Sequence, residues 1–133
     1  MGDRANVYFR NGKAGIGVYG HWAGSSMASA AAKVLASKAF KARIGDPNYA
    51  TRIGVQIVLE ELGAEPSSET GFGLWTSVGG ADDNEYPYIV IDVNDGKVFV
   101  AADWKKPKPS ERVEKPTEKK LLSLMTAGEE PDD

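Results

Sequence analysis

The dipeptide Asn11-Gly12 lies between two β-prone runs, residues 5–10 and 14–20, and restricts the fold more than any other feature of the sequence. Asn-Gly is a preferred pair in two-residue β-hairpin turns, because both central positions of such a turn require a positive φ. Valine, isoleucine and aromatic residues recur in the runs on either side, as is typical of strands. The sequence therefore predicts that the chain begins with an antiparallel hairpin.

Two helices are predicted to follow the hairpin. The first, residues 25–40, is rich in alanine, has apolar residues at helical spacing and starts with a serine that can act as N-cap. The second has Asp46 as its expected cap, Pro47 as its first residue and Gly63 at its end. One narrow stripe of this second helix is polar and contains Tyr49, Arg52, Gln56 and Glu60.

Three further strands are predicted at residues 72–78, 86–93 and 97–104. The last two are joined by the sequence Asn-Asp-Gly at 94–96, which is another hairpin signal. The resulting order of elements, ββααβββ, predicts an α+β fold with a single antiparallel sheet and two helices on one face.

The chain changes in composition near residue 104. Residues 1–103 are predicted to form the folded, ligand-binding core, whereas residues 104–133 are dense in Lys, Glu and Pro and are predicted to form a flexible tail. Within this tail a short amphipathic segment could dock on a partner or on the core through Leu121, Leu122, Leu124 and Met125.

Charge and cysteine content exclude several classes of function. The chain has no cysteine, so disulfides, thiolate nucleophiles and cysteine metal sites are excluded. A net charge of −3 supplies no general positive field for a nucleic-acid polymer. No apolar run approaches the roughly 20 residues that a membrane-spanning helix needs. We therefore expect a cytoplasmic protein with neither nucleic-acid polymer nor membrane as partner.

Polar and aromatic side chains near the predicted element ends are the candidate ligand-binding residues. Arginine can hold a phosphate through paired N–H donors, tryptophan can stack on a base, and carboxylates or amides can bind a ribose or base edge. The only histidine, His21, stands with Trp22 just before a predicted helix start, where backbone N–H groups attract anions. The candidates are Asp3, Arg4, Asn6, His21, Trp22, Tyr49, Arg52, Glu69, Thr70, Asn84, Glu85 and Tyr86.

Each of these groups also has a purely structural interpretation. His21 and Trp22 could simply pack the corner between strand and helix, and the polar stripe of the second helix could face water. As an enzyme, the chain would use His21 as a general base with Glu69 or Asp3 as its partner. The acidic run Ala-Asp-Asp-Asn-Glu at 81–85 lacks the spacing of a calcium loop, so neither a metal nor a cofactor is predicted.

Five short motifs together resemble those of a family of short proteins from bacteria and their phages. They are GDRAN at 2–6, YxHWxG at 19–24, DPxYxxRI at 46–53, ETGxG at 69–73 and NEYPxxVxD at 84–92. The resemblance spans nearly the whole core and none of the tail. It implies a small cytoplasmic protein that is often phage-borne.

By analogy, small acidic phage proteins include sponges that sequester the nucleotide signals of the bacterial defence systems CBASS and Thoeris. We therefore expect this chain to bind a cyclic dinucleotide or a cyclic ADP-ribose-like signal without cleaving it, and a homodimer could close the pocket. Two alternatives remain open. One is a small hydrolase or phosphodiesterase that uses His21 as general base, and the other is an interaction module that blocks a defence protein.

Overall fold

A computed structural model describes residues 3–80 and 84–127 of the chain. Within these ranges the fold is α+β, as predicted, with one six-stranded sheet and four α-helices. The strands are β1 (Ala5–Asn11), β2 (Ala14–Gly20), β3 (Phe72–Thr76), β4 (Tyr88–Asp92), β5 (Val98–Ala101) and β6 (Arg112–Val113). The helices are α1 (Ser26–Ala36), α2 (Lys38–Ala42), α3 (Pro47–Glu61) and α4 (Glu118–Thr126). No helix in the described ranges has the length and apolarity that crossing a membrane requires.

The predicted hairpin of β1 and β2 is confirmed. The two strands pair in antiparallel register from Ala5 opposite Gly20 to Asn11 opposite Ala14. The turn lies one residue later than the Asn11-Gly12 pair predicts: Asn11 pairs with Ala14, so Gly12 and Lys13 are its central residues, and Gly12 takes the positive φ of 60°. The hairpin therefore places the start of β1 and the end of β2 at the same end of the sheet.

The sheet is mostly antiparallel, but it is mixed rather than purely antiparallel as the sequence predicted. Its strand order is β3-β2-β1-β4-β5-β6, and β4 runs parallel to β1. β3 is antiparallel to β2, so it runs in the same direction as β1 and ends beside Ile16 at the hairpin end of the sheet. β4 begins at the opposite end of the sheet, beside the first residues of β1, and therefore runs parallel to β1.

The helical region differs from the sequence prediction in two details. The predicted helix at 25–40 is divided by Ser37, which is extended at φ −70° and ψ 125° and accepts a hydrogen bond from the Phe40 N–H at 3.2 Å as the N-cap of α2. Pro47 is the first residue of α3, as predicted, but the Asp46 side chain makes no capping hydrogen bond. Its carboxylate instead accepts from the Arg43 guanidinium at 3.5 Å.

The main core lies between the helices and one face of the sheet. The central strands supply Val7, Phe9, Val18, Ile89 and Ile91, all buried, and the helices supply mainly small side chains. The predicted tail is described as far as residue 127. It contains β6 and α4, and α4 buries Leu121 and Met125 against the main core.

The opposite face of the sheet carries a second cluster, built from aromatic rings. Tyr8 and Trp75 stack with centroids 5.1 Å apart and an angle of 6° between planes. The ring of Trp104 packs edge-on against both at 5.0 Å. Trp75 lies directly on the backbone of β2 at Gly17, where a Cβ would overlap the indole. The glycine-rich sequence of β2 therefore serves aromatic packing.

Candidate functional site

The structure gathers most of the predicted site residues where β1 begins, β2 ends and the chain approaches β4. Backbone hydrogen bonds tie these segments together: the Asp3 N–H donates to the His21 carbonyl at 2.7 Å, and the Glu85 N–H donates to the Arg4 carbonyl at 3.0 Å. We call this cluster the corner. Its members are Asp3, Arg4, Asn6, His21, Trp22, Asn84, Glu85 and Tyr86.

The side chains of the corner bond mainly to one another. The Tyr86 hydroxyl donates to the Asp3 carboxylate at 2.6 Å, and the Arg4 guanidinium lies 3.3 Å from the Glu85 carboxylate. Because these charges are already compensated within the fold, a ligand would have to displace an existing partner to bind them.

Asn6 is the most deeply placed residue of the corner, with no exposed surface. Its side-chain oxygen accepts from the Trp75 indole N–H at 2.9 Å, and its amide nitrogen donates to Asn84 Oδ1 at 3.2 Å. Asn84 in turn donates to the Tyr86 carbonyl. These bonds attach the aromatic cluster to the loop before β4, which gives Asn6 a structural position rather than a ligand-facing one.

His21 is paired with a phenol and not with a carboxylate. Its Nδ1 lies 2.6 Å from the Tyr19 hydroxyl, and its ring meets the Trp22 indole edge-on at 4.6 Å between centroids. Trp22 itself is 64% exposed. No described carboxylate hydrogen-bonds to His21, so neither Glu69 nor Asp3 orients the ring as the hydrolase hypothesis expects.

Glu69 and Thr70 lie beside the corner in the exposed loop that leads into β3. Gly71 follows Thr70 in this loop. Its carbonyl accepts from the His21 N–H at 2.8 Å, and it also lies against the Trp22 ring. The loop therefore borders the exposed face of Trp22. The predicted acidic residues Asp82 and Asp83 lie outside the described residues, and no group of three or more His, Cys, Asp or Glu among the described residues could hold a metal ion.

Tyr49 and Arg52 are not part of the corner, so the predicted residues do not share one cavity. Tyr49 is 56% exposed, and the Arg43 guanidinium lies over its ring at 5.0 Å. Arg52 lies one helical turn further along α3 and donates to the Gln56 side-chain oxygen at 2.8 Å. Unlike Tyr49, Arg52 lines a large cavity.

That cavity is an open groove between α3 and the strands β2 and β3, with a volume of about 1050 Å³. Its walls are mainly apolar: Val55 and Leu59 of α3 face Ile16, Phe72 and Leu74 of the sheet. Three members of the predicted polar stripe, Arg52, Gln56 and Glu60, lie along its rim.

The groove exists because β3 is an edge strand that the helices do not cover. Helix α3 lies over the neighbouring strands, with Gly54 packed against the Phe9 ring. Phe72 and Leu74 face the helical side of the sheet one strand further out, and Leu74 remains 58% exposed. The sequence predicts β3 but contains no signal for its edge position, so Leu74 was missed as a site residue.

A second and smaller cavity, of about 200 Å³, opens on the aromatic face near the hairpin turn. Arg10, Lys13 and Lys105 line it, together with Tyr8, Ser77 and Trp104. No sequence pattern groups these cations, because Lys105 follows β5 and only the sheet order places it near the β1–β2 turn.

Comparisons with protein-family models, curated proteins and solved structures gave no match to this chain. By its fold and cavities, the chain is an α+β protein with an open groove beside an edge strand.

Proposed function

We propose that this protein binds, without cleaving, a small phosphorylated molecule that carries a base or similar ring system, and that it thereby sequesters a nucleotide-derived immune signal. The observation that carries the proposal is the groove between α3 and β3, with apolar walls and one guanidinium, Arg52, at its rim. We do not place the ligand at the corner, although its residues are candidates by sequence, because its charged groups already bind one another.

The size and lining of the groove fit such a ligand. Sites for small organic molecules are commonly about 300–1000 Å³, largely apolar, and equipped with a few polar groups that fix orientation. The partly buried Phe72 ring can stack on a base, while Val55 and Leu59 cover its edges. Arg52 can bind a phosphate through two parallel N–H donors, and its hydrogen bond to Gln56 already restricts the side chain.

The position of His21 favours binding over hydrolysis. The chain has one histidine, and it does not line the groove. The two acidic residues of the lining, Glu60 and Glu65, are both exposed to solvent, and neither has a histidine beside it in the groove. The interaction-module alternative would use the segment from Leu121 to Met125 as its contact surface. Leu121 and Met125 are buried against the core, so these two side chains are not available to a partner.

The proposal is tested by capture and release. The purified chain is incubated with a cyclic dinucleotide or with cyclic ADP-ribose, separated from free ligand by ultrafiltration and then heat-denatured, and the released nucleotide is identified by chromatography. Recovery of the intact nucleotide supports sequestration. Recovery of a cleaved product contradicts it and favours the hydrolase, and no depletion of either nucleotide contradicts ligand capture itself.

The site is tested with two variants that remove the same charge. Arg52→Gln should weaken binding at least about tenfold, which corresponds to about 1.4 kcal/mol, because a charge-assisted contact with phosphate is lost. Arg43→Gln, beside Tyr49 and outside the groove lining, should leave the dissociation constant unchanged. Equal losses in both variants would show a general charge effect and place the ligand elsewhere.

A further inference from the structure

The small cavity at the hairpin end of the aromatic face, which we call the basic pocket, combines three cations with no acidic lining residue. It is lined by Tyr8, Arg10, Gly12, Lys13, Ser77, Trp104 and Lys105. Its cations come from the end of β1, from the β1–β2 turn and from the segment after β5. They meet only because β1 and the hairpin turn lie beside the segment that covers the aromatic cluster.

The three cations have no ion-pair partner among the described carboxylates. The nearest acidic residue in sequence, Asp103, accepts a hydrogen bond from the Lys105 backbone N–H at 2.8 Å and does not line the pocket. The Lys105 ammonium lies 5.3 Å from the centroid of the Trp104 ring, a cation–π contact that holds it at the pocket wall. Such a cluster of like charges favours an anion.

A pair of hydroxyl groups adds one neutral donor to the same cavity, because Tyr8 and Ser77 are hydrogen-bonded to each other and one of their two protons lies between them. Burial raises the pKa of Tyr8, and a hydrogen bond with Ser77 and the charge of Arg10 act in the opposite direction. The phenol is therefore protonated at neutral pH and can donate. Its ring is fixed by the stack with Trp75, so the hydroxyl is positioned before any ligand arrives.

The volume of the pocket limits what it can hold. At about 200 Å³ it is smaller than the roughly 300 Å³ at which sites for drug-sized molecules begin. A single tetrahedral oxyanion with several acceptor atoms matches three cations and one hydroxyl donor. A complete nucleotide does not fit inside it.

We propose that the basic pocket is a phosphate site that binds inorganic phosphate or the terminal phosphate of a small monoester. It is separate from the groove on the helical face. Ser77 borders both cavities, but none of the three cations lines the groove. The site does not depend on the function proposed for the groove.

The test uses the full chain labelled with ¹⁵N and titrated with inorganic phosphate or ribose 5-phosphate, with chloride keeping the ionic strength constant. We expect saturable shifts of the Gly12 and Ser77 amides and of the Trp104 indole N–H, with a dissociation constant of about 1 mM or lower, equivalent to about 4 kcal/mol of binding. Response to one ligand or to both identifies the source of the phosphate.

Two charge-matched double variants locate the site. Lys13→Gln/Lys105→Gln should raise the dissociation constant at least about tenfold, whereas Lys38→Gln/Lys41→Gln on the exposed side of α2 should leave it unchanged. No saturable local shift with either ligand, or equal losses in the two double variants, would overturn the proposal. Binding of a single-stranded oligonucleotide alone, with neither small phosphate, would also overturn it. Loss of nucleotide capture in Arg52→Gln with phosphate binding retained separates this site from the groove.

Discussion

Gly17 shows how a single missing side chain determines the packing on one face of the sheet. The Trp75 indole lies against the β2 backbone at this position, and in that orientation it stacks on Tyr8 and supports Trp104. Any Cβ at Gly17 overlaps the ring, so the indole would have to move away and break a stack that is buried. The aromatic cluster thus depends on the absence of a methyl group.

We predict that Gly17→Ala lowers the free energy of unfolding by about 1–3 kcal/mol, the usual cost of forcing extra volume into a packed site. Urea denaturation monitored by tryptophan fluorescence measures the loss. Gly73→Ala is the matched control, because Gly73 lies on the neighbouring strand and a Cβ there meets no atom within 4 Å. It should leave stability unchanged or raise it slightly. A comparable loss in both variants would contradict close packing at Gly17.

Asn6 shows at the residue scale what a short motif cannot predict. The sequence identified Asn6 as important but assigned it to a ligand, whereas its side chain is buried and accepts from the Trp75 indole. The two residues are separated by 69 positions in the chain. A short motif contains no information about a hydrogen-bond partner at that distance, so a structural amide and a binding amide look alike.

Helix α4 shows the same limit at the scale of an element. The Lys, Glu and Pro content of the segment predicted flexibility, yet its amphipathic pattern was visible in the sequence. In the structure Thr117 caps the helix by accepting from the Lys120 N–H at 3.2 Å, and Leu121 and Met125 pack against the core. Burial of two large side chains outweighed the unfavourable composition of the flanking residues.

We predict that Leu121→Ala lowers the free energy of unfolding by about 2–5 kcal/mol, because it leaves a cavity beneath α4. Leu122→Ala changes the same residue type one position further on, where the side chain is 37% exposed, and should cost less than about 1 kcal/mol. Thermal or urea unfolding of the full chain measures both. If the two substitutions have equal and small effects, α4 is not docked as the structure describes.

Other elements were predictable because their signals are local. The Asn-Gly pair predicted the hairpin, although the turn is centred on Gly12 and Lys13, and Pro47 marked the start of α3. The division between α1 and α2 was missed because Ser37 continues a helical pattern on both sides and is extended only through its bond to the Phe40 N–H. The sequence therefore predicted the hairpin and the start of α3, but not the break between α1 and α2.

The stability of the whole molecule should fall in alkaline solution. Burial raises the pKa of Tyr8 and of Tyr88, and the negative charge of Asp103 raises that of Tyr88 further. The folded chain therefore retains these two protons to a higher pH than the unfolded chain, whose tyrosines ionise near about pH 10. The free energy of unfolding is unaffected below that pH and decreases as the pH rises through the folded-state values.

Urea unfolding between about pH 8 and pH 11 measures this effect. The double variant Tyr8→Phe/Tyr88→Phe should show a shallower decrease above about pH 10 than the parent chain, because both buried phenols are gone. Tyr49→Phe removes a phenol from an exposed ring and should keep the parent slope. An unchanged slope in the double variant would assign the alkaline loss to other groups.

The topology explains which parts of the candidate site the sequence could anticipate. The hairpin brings the start of β1 and the end of β2 together, so the proximity of the candidate residues at these two ends follows from a local signal. The parallel pairing of β1 with β4 and the edge position of β3 result from packing over long separations, so the groove and the basic pocket were invisible. Only the polar stripe of α3 indicated one wall of the groove.

The two edge strands of the sheet, β3 and β6, differ in how much free backbone they offer to a further strand. β6 has only two residues, so it presents little free backbone, whereas β3 has five and contains neither proline nor a charged side chain. Any additional strand must therefore join at β3. If that strand comes from an identical chain, a two-fold contact pairs the β3 edge of one copy with the β3 edge of the other. Neither copy then has a free β3 edge, so assembly stops at a dimer instead of continuing into a fibre.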